Sequence, residues 1–190
     1  MDPRMRATPL LIALGHRKGS GKDLVGAYLV HEYGFVNTSF AEPLKQAASA
    51  MCGWDLEDLE DQDFKSMRDE YWGFTPRWFL QTLGTEFARN LVDQDFWVRA
   101  MRRKLCYDLK GQDVVITDCR FPNEAELARN APYHQGLVCE VNRPSLGPIV
   151  DQHPSETAMV GYEWDHVLDN SGTIQALYSQ VDELIRKARK

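Results

Sequence analysis

The chain of 190 residues is long enough for one α/β domain with its own core and, at most, a small inserted subdomain. Its composition, 43% apolar and 26% charged, is ordinary for a globular protein. The formal net charge of -6 argues against a protein that coats nucleic acid, because binding to a phosphate backbone needs a dense positive surface. Any phosphate site must therefore be a local pocket.

The cysteine spacing and the apolar runs predict a cytoplasmic protein with reduced thiols. The four cysteines are too widely spaced for a zinc pattern or a close-set disulfide framework. The apolar run that follows Arg4 and Arg6 is too short for the core of a signal peptide. No apolar run approaches the roughly 20 residues that span a bilayer, so no membrane partner is expected.

The first elements predict a strand, a phosphate-binding loop and a helix. Residues 10–14, LLIAL, have the continuous apolar character of a strand that is buried on both faces. From Lys22 onward apolar residues recur at helical spacing, and Gly34 ends that helix. The glycine-rich segment between them lies in the context that a phosphate loop requires, in which backbone N–H groups point at the anion. The alternative is a flexible basic turn. The predicted phosphate-binding residues are Arg17, Lys18, Gly19, Ser20, Gly21 and Lys22.

Two residues depart from the common loop pattern of Gly, four residues, Gly-Lys and then Ser or Thr. Asp23 replaces the Ser or Thr whose hydroxyl binds magnesium, and its carboxylate can supply an oxygen ligand instead. The alternative is an acid that the positive end of the helix stabilises. His16 stands where the first glycine is expected, with Gly15 one place earlier, which indicates a slightly longer loop.

The rest of the chain alternates short apolar strands with helices. Strands are predicted at 34–40, 113–118, 137–142 and 166–170, and Asn123 and Glu126 lie at capping-box spacing in a helix after the third strand. Five strands alternating with helices predict an α/β fold with a parallel sheet covered on both faces. The connection 41–112 is too long for one crossover helix and predicts an inserted helical subdomain. The segment 143–162 is predicted to be a polar loop.

An acidic residue, Asp118, ends the third predicted strand. Ligands of open parallel sheets lie beyond the carboxyl ends of the strands, so Asp118 should arrive beside Lys22 and a magnesium ion. Arg120, two residues later, should point to the same side. The alternative is an aspartate that caps the next turn, but the pairing with GSGKD favours a site.

The motifs GHRKGSGKD, FAEPLK, TPRWFLQTLGTE, FWV, ITDCRFPNEAE and VLDNSGT occur in this order. With them the chain resembles the phage-type deoxynucleoside monophosphate kinases from about residue 10 to 185. The resemblance implies a P-loop NTPase three-layer sandwich with strand order 2-3-1-4-5. It also implies transfer of the γ-phosphoryl group of ATP to a deoxynucleotide's phosphate, with Mg²⁺ held near Asp23 and Asp118. In that family an aspartate follows the loop lysine. The expected location is the cytoplasm, which is that of the host if the chain is phage-encoded. Whether the chain forms a homodimer is left open.

The resemblance implies an acceptor site formed by Ser39 and by residues within 41–112. Arginines there are candidate clamps, because a planar guanidinium binds phosphate oxygens in a bidentate manner, although each can instead be a surface residue. Aromatic side chains can stack a base, but at this spacing most are more typical of a core. The candidate acceptor residues are Ser39, Ala41, Lys45, Arg68, Trp72, Phe74, Arg77 and Arg89.

The resemblance also implies a lid and an adenine site. The segment 143–162 falls where P-loop kinases carry a lid, so Arg143, His153 and Glu156 are expected to close over ATP. His153 can equally be an exposed loop residue. Asn170, Ser171 and Gly172 are expected to approach the adenine mainly through their backbone.

The implied reaction needs no general base, because the attacking phosphate oxygen is already anionic. Catalysis then rests on alignment and on charge neutralisation by Lys22, by Asp23 with its magnesium ion, and by Arg120 and Arg77. Two alternatives stay open. One is a P-loop kinase for another small acceptor, such as dephospho-CoA or phosphomevalonate; the other is a non-catalytic nucleotide-binding regulator. The long insert favours a kinase, and its FAEPLK and TPRWFLQTLGTE motifs favour a nucleotide acceptor.

Overall fold

The computed structural model describes residues 8–15, 17–149 and 152–190. His16, the residue at the expected glycine position, lies outside the described residues, as do Arg4 and Arg6. The chain divides into two compact units, one formed by Met1–Ser39 with Arg102–Lys190 and the other by Phe40–Met101. No helix within the described ranges is long and apolar enough to cross a membrane.

The first unit is built on a parallel sheet of five strands. In chain order the strands are β1 (Leu10–Gly15), β2 (Val36–Thr38), β3 (Val114–Cys119), β4 (Gln135–Asn142) and β5 (His166–Asp169). Their order in the sheet is β2-β3-β1-β4-β5, with every neighbouring pair parallel. This confirms the predicted α/β fold and strand order. In the centre, Ile12 pairs with Val115 on one side and with Leu137 on the other.

The central strand β1 lies inside the core of this unit. All six residues of β1 are buried, as expected of a strand that helices cover on both faces. Polar and apolar residues do not alternate in LLIALG, because neither face of β1 meets water. On one side Val25 and Leu29 pack in the same cluster as Leu177 and Val181.

The helices of this unit are α1 (Lys22–Tyr33), α6 (Pro122–Arg129), α7 (Pro154–Thr157) and α8 (Ile174–Ala188), with a short 3₁₀ turn at Pro144–Leu146. The helix α1 ends at Gly34 as predicted. Gly34 has a φ of 71°, and its N–H bonds to carbonyls of the last turn. Thr173 caps α8 by accepting a hydrogen bond from the N–H of Ala176.

The capping box predicted at Asn123 and Glu126 is wrong. The helix α6 begins at Pro122, which suits the first helical position because proline has no N–H to satisfy, so its N-cap is Phe121 and not Asn123. Asn123 therefore lies inside the first turn. The carboxylate that returns to the start of the helix is Glu124, whose Oε2 accepts from the N–H of Phe121 at 3.1 Å.

The second unit is helical. It contains α2 (Glu42–Cys52), α3 (Gln62–Ser66), α4 (Pro76–Gln81), a π-helix (Thr82–Val92) and the first part of α5 (Phe96–Tyr107). Its small core is formed by Ala48, Trp54 and Leu59, with flanking aromatic side chains. A π-helix of eleven residues is unusual, because the π form mostly occurs as single turns, often at functional sites.

Candidate functional site

The loop between β1 and α1 has the backbone geometry of an anion-binding turn. Gly19 and Gly21 have φ angles of 78° and 108°, in the left-handed region that only glycine adopts without strain. Gly21 immediately precedes α1, so the loop ends at the positive end of that helix. Ser20 between the two glycines is fully buried. The sequence pattern and this geometry agree.

Side-chain donors engage the carbonyl groups of this loop. The Lys22 Nζ donates to the carbonyl oxygen of Arg17 at 2.5 Å, and the Asn170 Nδ2 donates to that of Ser20 at 2.8 Å. The Arg143 Nη1 lies 3.4 Å from the carbonyl oxygen of Gly19. Each contact restrains the orientation of one peptide plane of the loop.

Lys22 is the most perturbed cation of the site. Only 5% of its surface is exposed, and the pKa of its amine is lowered from 10.5 to about 8, mainly by this burial. The positive charge of Arg120 contributes to this lowering, while the carboxylates of Asp23, Glu156 and Asp118 oppose it. The structure therefore brings Asp118 and Arg120 into the electrostatic environment of Lys22. A lysine in this state is readily returned to full charge by an arriving anion.

Arg120 and the phosphate loop meet at one carboxylate of the segment 143–162. The Arg120 guanidinium donates to Glu156 and, at 3.3 Å, to the carbonyl oxygen of Ser155. The other oxygen of Glu156 accepts from the backbone N–H of Lys18 at 3.3 Å. The carboxylate of Glu156 thus contacts a backbone donor of the loop and a guanidinium, two groups that also bind phosphate.

The same segment also contacts the loop through Arg17. Its guanidinium donates to the carbonyl oxygen of Gly147 and, at 2.9 Å, to that of Pro148. His153, which was expected to close over ATP or to be an exposed loop residue, caps α7. Its Nδ1 accepts from the N–H of Ser155 at 3.2 Å.

Residues 170–172 form the turn between β5 and the N-cap of α8. The N–H of Asn170 donates to the carbonyl oxygen of Asn142 at 2.8 Å, which extends the pairing of β4 with β5. The N–H and the hydroxyl of Ser171 both donate to the side chain of Asp169, at 2.9 Å. Gly172 completes the turn. This turn is held by hydrogen bonds, and its Asn170 side chain reaches the phosphate loop.

The candidate metal ligands suit magnesium that is shared with a nucleotide. In the part of the chain that the structure describes, no three His, Cys, Asp or Glu side chains gather into a preformed metal site. Kinases typically hold Mg²⁺ with one or two carboxylates plus the phosphates of the substrate. Asp23 and Asp118 are two such carboxylates, and both act on the Lys22 amine.

The candidate acceptor cations of the second unit differ in their partners. The Arg77 Nη2 donates to neutral groups, the Gln62 Oε1 at 3.0 Å and the Ser66 Oγ at 3.3 Å. The Lys45 Nζ instead pairs with the carboxylate of Glu60 at 2.6 Å, which offsets its charge. Ala41 is the N-cap of α2, and its carbonyl oxygen accepts from the N–H of Lys45. Ser39 lies at the end of the other unit.

Arg89 lies in the π-helix and is mostly buried, with 8% of its surface exposed. Its Nη1 is 3.4 Å from the carbonyl oxygen of Gln94. A cavity of about 420 Å³ adjoins it, lined also by Asn90, Val92 and Asp93. Arg68, by contrast, is exposed, and its Nε donates to the carbonyl oxygen of Gly73 at 2.8 Å, which closes a surface turn.

The two aromatic stacking candidates occupy different surroundings. Phe74 stacks on Phe79 at 5.5 Å between ring centroids and on Trp72 at 6.1 Å, so its ring is packed among other rings. Trp72 is 38% exposed, and its Nε1 donates to the carbonyl oxygen of Cys52 at 3.1 Å. Trp72 is therefore the more accessible of the two.

Comparison with known proteins identifies the family of this chain. A family model described as deoxynucleotide monophosphate kinase matches residues 55–181. A protein of Acanthamoeba polyphaga mimivirus that is described as a putative deoxynucleotide monophosphate kinase is 33% identical over 192 residues, covering 94% of this chain and 97% of the viral protein. The chain belongs to the deoxynucleotide monophosphate kinase family. This confirms the resemblance that the sequence motifs indicated.

A phage relative matches this chain over a smaller share of its own length, and a solved structure matches it over nearly all of its length. A deoxynucleoside-5'-monophosphate kinase of Escherichia phage T5 is 37% identical over 100 residues, which are 50% of this chain and 39% of the phage protein. Among solved structures, the TT1252 protein of Thermus thermophilus has a TM-score of 0.52 at 16% identity, covering 95% of this chain and 98% of the other. At this identity the structural match supports the fold alone.

Three side chains that hold candidate site residues in place were missed in the sequence. Glu124 is buried, and its Oε2 accepts from the N–H of Arg120 at 2.7 Å, which places that arginine. Asp69 accepts from the N–H of Trp72 at 2.9 Å and from the Trp54 Nε1 at 2.8 Å, which fixes the exposed ring. The side chain of Asn170 is the third. Glu124 and Asp69 lie close in sequence to the residues that they hold, Arg120 and Trp72, and this proximity is a signal for both. Nothing in the sequence indicates the contact of Asn170.

Proposed function

We propose that the protein transfers the γ-phosphoryl group of ATP to the phosphate of a deoxynucleoside monophosphate, giving a deoxynucleoside diphosphate and ADP. The observation that carries this proposal is the buried Lys22 at the end of a glycine loop, surrounded by Asp23, Asp118 and Arg120, in a chain of this family. The substrate partner is a single nucleotide and not a nucleic acid, which agrees with the net charge of -6. A cytoplasmic location belongs to the same proposal.

The phosphates of ATP would bind along the loop from Arg17 to Lys22. Backbone N–H groups and the positive end of α1 attract the anion there, and the Lys22 amine supplies a charge from the buried side. At the other end of the loop, the nucleotide would contact Arg143 and the backbone of residues 170–172. The glycines at 19 and 21 keep side chains out of this path.

Asp23 and Asp118 would hold a magnesium ion together with the phosphates. When bound, magnesium supplies positive charge that neutralises the phosphate oxygens during transfer. The chain's own contribution is the placement of the two carboxylates near Lys22. The carboxylate of Asp23 would provide the oxygen that a Ser or Thr hydroxyl provides in the common loop pattern.

The attacking phosphate of the acceptor carries its own negative charge, so the protein need not remove a proton from it. The residues instead align two anions and reduce their repulsion. Lys22 and Arg120 are the cations for this task in the first unit. Because Arg120 contacts Glu156 in the free protein, the arrival of a phosphate would replace one anionic partner of Arg120 with another.

The unit Phe40–Met101 would bind the deoxynucleotide. Arg77 and Arg89 are the proposed phosphate clamps, Arg77 because its contacts are neutral and Arg89 because it is mostly buried beside a cavity. Trp72 is the proposed base-stacking residue. Arg68, Phe74 and Lys45 are weaker members of this proposal, since each is engaged in a turn, a ring stack or an ion pair.

A coupled assay of ADP release tests the proposal. The purified protein is given MgATP with each member of a panel of deoxynucleoside monophosphates, ribonucleoside monophosphates, dephospho-CoA and phosphomevalonate. We expect ADP release that depends on at least one deoxynucleoside monophosphate and is lost in Lys22→Ala. Release with dephospho-CoA or phosphomevalonate alone would assign a different kinase. ATP binding without turnover of any acceptor would favour a nucleotide-binding regulator.

A further inference from the structure

The side chain of Asn170 connects the end of β5 to the middle of the phosphate loop. Its Nδ2 donates to the carbonyl oxygen of Ser20 at 2.8 Å, between residues 150 positions apart in the chain. It also lies against Gly21, because a β-carbon on that glycine would be 2.5 Å from the Asn170 Nδ2. The backbone of Asn170 is itself fixed to Asn142 of β4. One side chain therefore ties the sheet to the loop.

The peptide that Asn170 holds precedes a glycine and can therefore rotate readily. The carbonyl oxygen of Ser20 and the N–H of Gly21 belong to the same planar peptide and point in opposite directions. Gly21 has a φ of 108° and no side chain, so neither orientation of this peptide meets a large steric barrier. A rotated peptide would present a carbonyl oxygen to the phosphates where an N–H is needed.

The contacts of Arg143 and Lys22 with the loop do not duplicate this restraint. The contact of Arg143 with Gly19 is longer, at 3.4 Å, and involves an exposed side chain. The contact of Lys22 with Arg17 restrains a different peptide, at the start of the loop, and both of its residues belong to the loop. The Asn170 amide, by contrast, reaches the Ser20–Gly21 peptide from outside the loop at a short distance.

We propose that Asn170 is a positioning residue for the phosphate loop. Its side-chain amide holds the Ser20–Gly21 peptide in the orientation that offers the N–H of Gly21 to the phosphates of ATP. This inference rests on the proposed ATP site and differs from a backbone contact of Asn170 with the adenine. Without the amide, only a fraction of molecules has the binding orientation, and the apparent dissociation constant rises by the inverse of that fraction.

The test compares two ligands that share phosphates but not adenine. The affinities of MgATP and of magnesium tripolyphosphate are measured by calorimetry, tripolyphosphate by displacement of MgATP, for the wild type and for Asn170→Ala. We expect both dissociation constants to rise by the same factor, roughly tenfold, as for the loss of one hydrogen bond to a backbone group. Asn170→Asp keeps the shape of the side chain but removes the donor, so it should weaken both ligands at least as much.

Gln180→Ala is the matched control. The Gln180 side chain bonds to both the N–H and the carbonyl oxygen of Asp169, each at 2.9 Å, so its removal loosens the same end of β5 without touching the loop. We expect both ligands to bind this variant within about twofold of the wild type, as for a surface change away from the site. Far-UV circular dichroism and the melting temperature verify that each variant is folded.

The outcomes separate the alternatives. If Asn170→Ala and Asn170→Asp weaken MgATP but not tripolyphosphate, Asn170 acts at the adenine and the inference is overturned. It is also overturned if neither ligand is affected, or if Gln180→Ala weakens both ligands as much as the Asn170 variants do. A wild type that binds no MgATP would overturn the proposed function together with this inference, whereas the preceding results would leave the proposed function standing.

Discussion

Binding of MgATP should draw a proton onto Lys22 at alkaline pH. Burial and the charge of Arg120 lower the pKa of this amine to about 8 in the free protein. A triphosphate beside the amine favours its charged form and raises the pKa again. The complex therefore holds more protons than the free protein, and the difference is taken from solvent. The experiment therefore varies the pH across the pKa of Lys22.

The size of this effect follows from the pKa. With a pKa of about 8, about one tenth of the Lys22 amines are neutral near pH 7 and about three quarters near pH 8.5. If the complex keeps Lys22 charged, proton uptake per bound ATP rises between these pH values from about 0.1 to about 0.75. Because the free protein has the lower pKa, affinity is insensitive to Lys22 below pH 8. It falls as pH rises through this value, by up to about tenfold per pH unit.

Isothermal titration calorimetry measures the uptake directly. Titrations in two buffers with different ionisation enthalpies give the number of protons at each pH. Lys22→Arg is the control variant, because a guanidinium stays charged at both pH values and contributes no uptake even if affinity falls. Equal uptake in the two pH conditions, or unchanged uptake in Lys22→Arg, would refute the assignment of a perturbed Lys22 to the phosphate site.

Three further predictions concern other parts of the site. Glu156→Gln removes a carboxylate that raises the pKa of Lys22, so proton uptake near neutral pH should exceed that of the wild type in the same calorimetric assay. Lys22→Ala and Asp23→Ala should each lower kcat/KM by at least tenfold, about 1.4 kcal/mol, and a smaller loss in steady-state kinetics would refute the site assignment. Arg77→Lys should raise KM for the deoxynucleotide more than KM for ATP, because lysine cannot bind phosphate in a bidentate manner. Arg186→Lys, which alters an exposed pair with Glu183 on α8, is its control.

The fold was predictable because its signals are local. LLIAL is apolar at every position, and a strand covered on both faces is typical of that pattern. The glycines at 19 and 21 indicate a turn with positive φ, which the structure has. Together with the family resemblance, these signals led to the correct strand order. The capping box of α6 was misplaced because the pattern was matched at Asn123, although Pro122 already marked the first turn.

The unpredicted parts depend on distant contacts or on small backbone differences. The amide of Asn170 reaches Ser20 only after β5 is placed beside β4, and no spacing in the sequence encodes that approach. The segment Thr82–Val92 has apolar residues at helical intervals, and such a pattern does not distinguish a π-helix from an α-helix. Asp69 organises its turn through the N–H groups of Tyr71 and Trp72, yet its sequence surroundings are those of an ordinary surface loop.

The central claim is that a phosphoryl group moves from ATP to a deoxynucleoside monophosphate. The most direct measurement is ³¹P NMR of a reaction that contains the protein, MgATP and one deoxynucleoside monophosphate at a time. The account predicts equal amounts of ADP and deoxynucleoside diphosphate with at least one base, and no product with Lys22→Ala. ADP that forms with inorganic phosphate, or an unchanged spectrum with every deoxynucleotide, would contradict it.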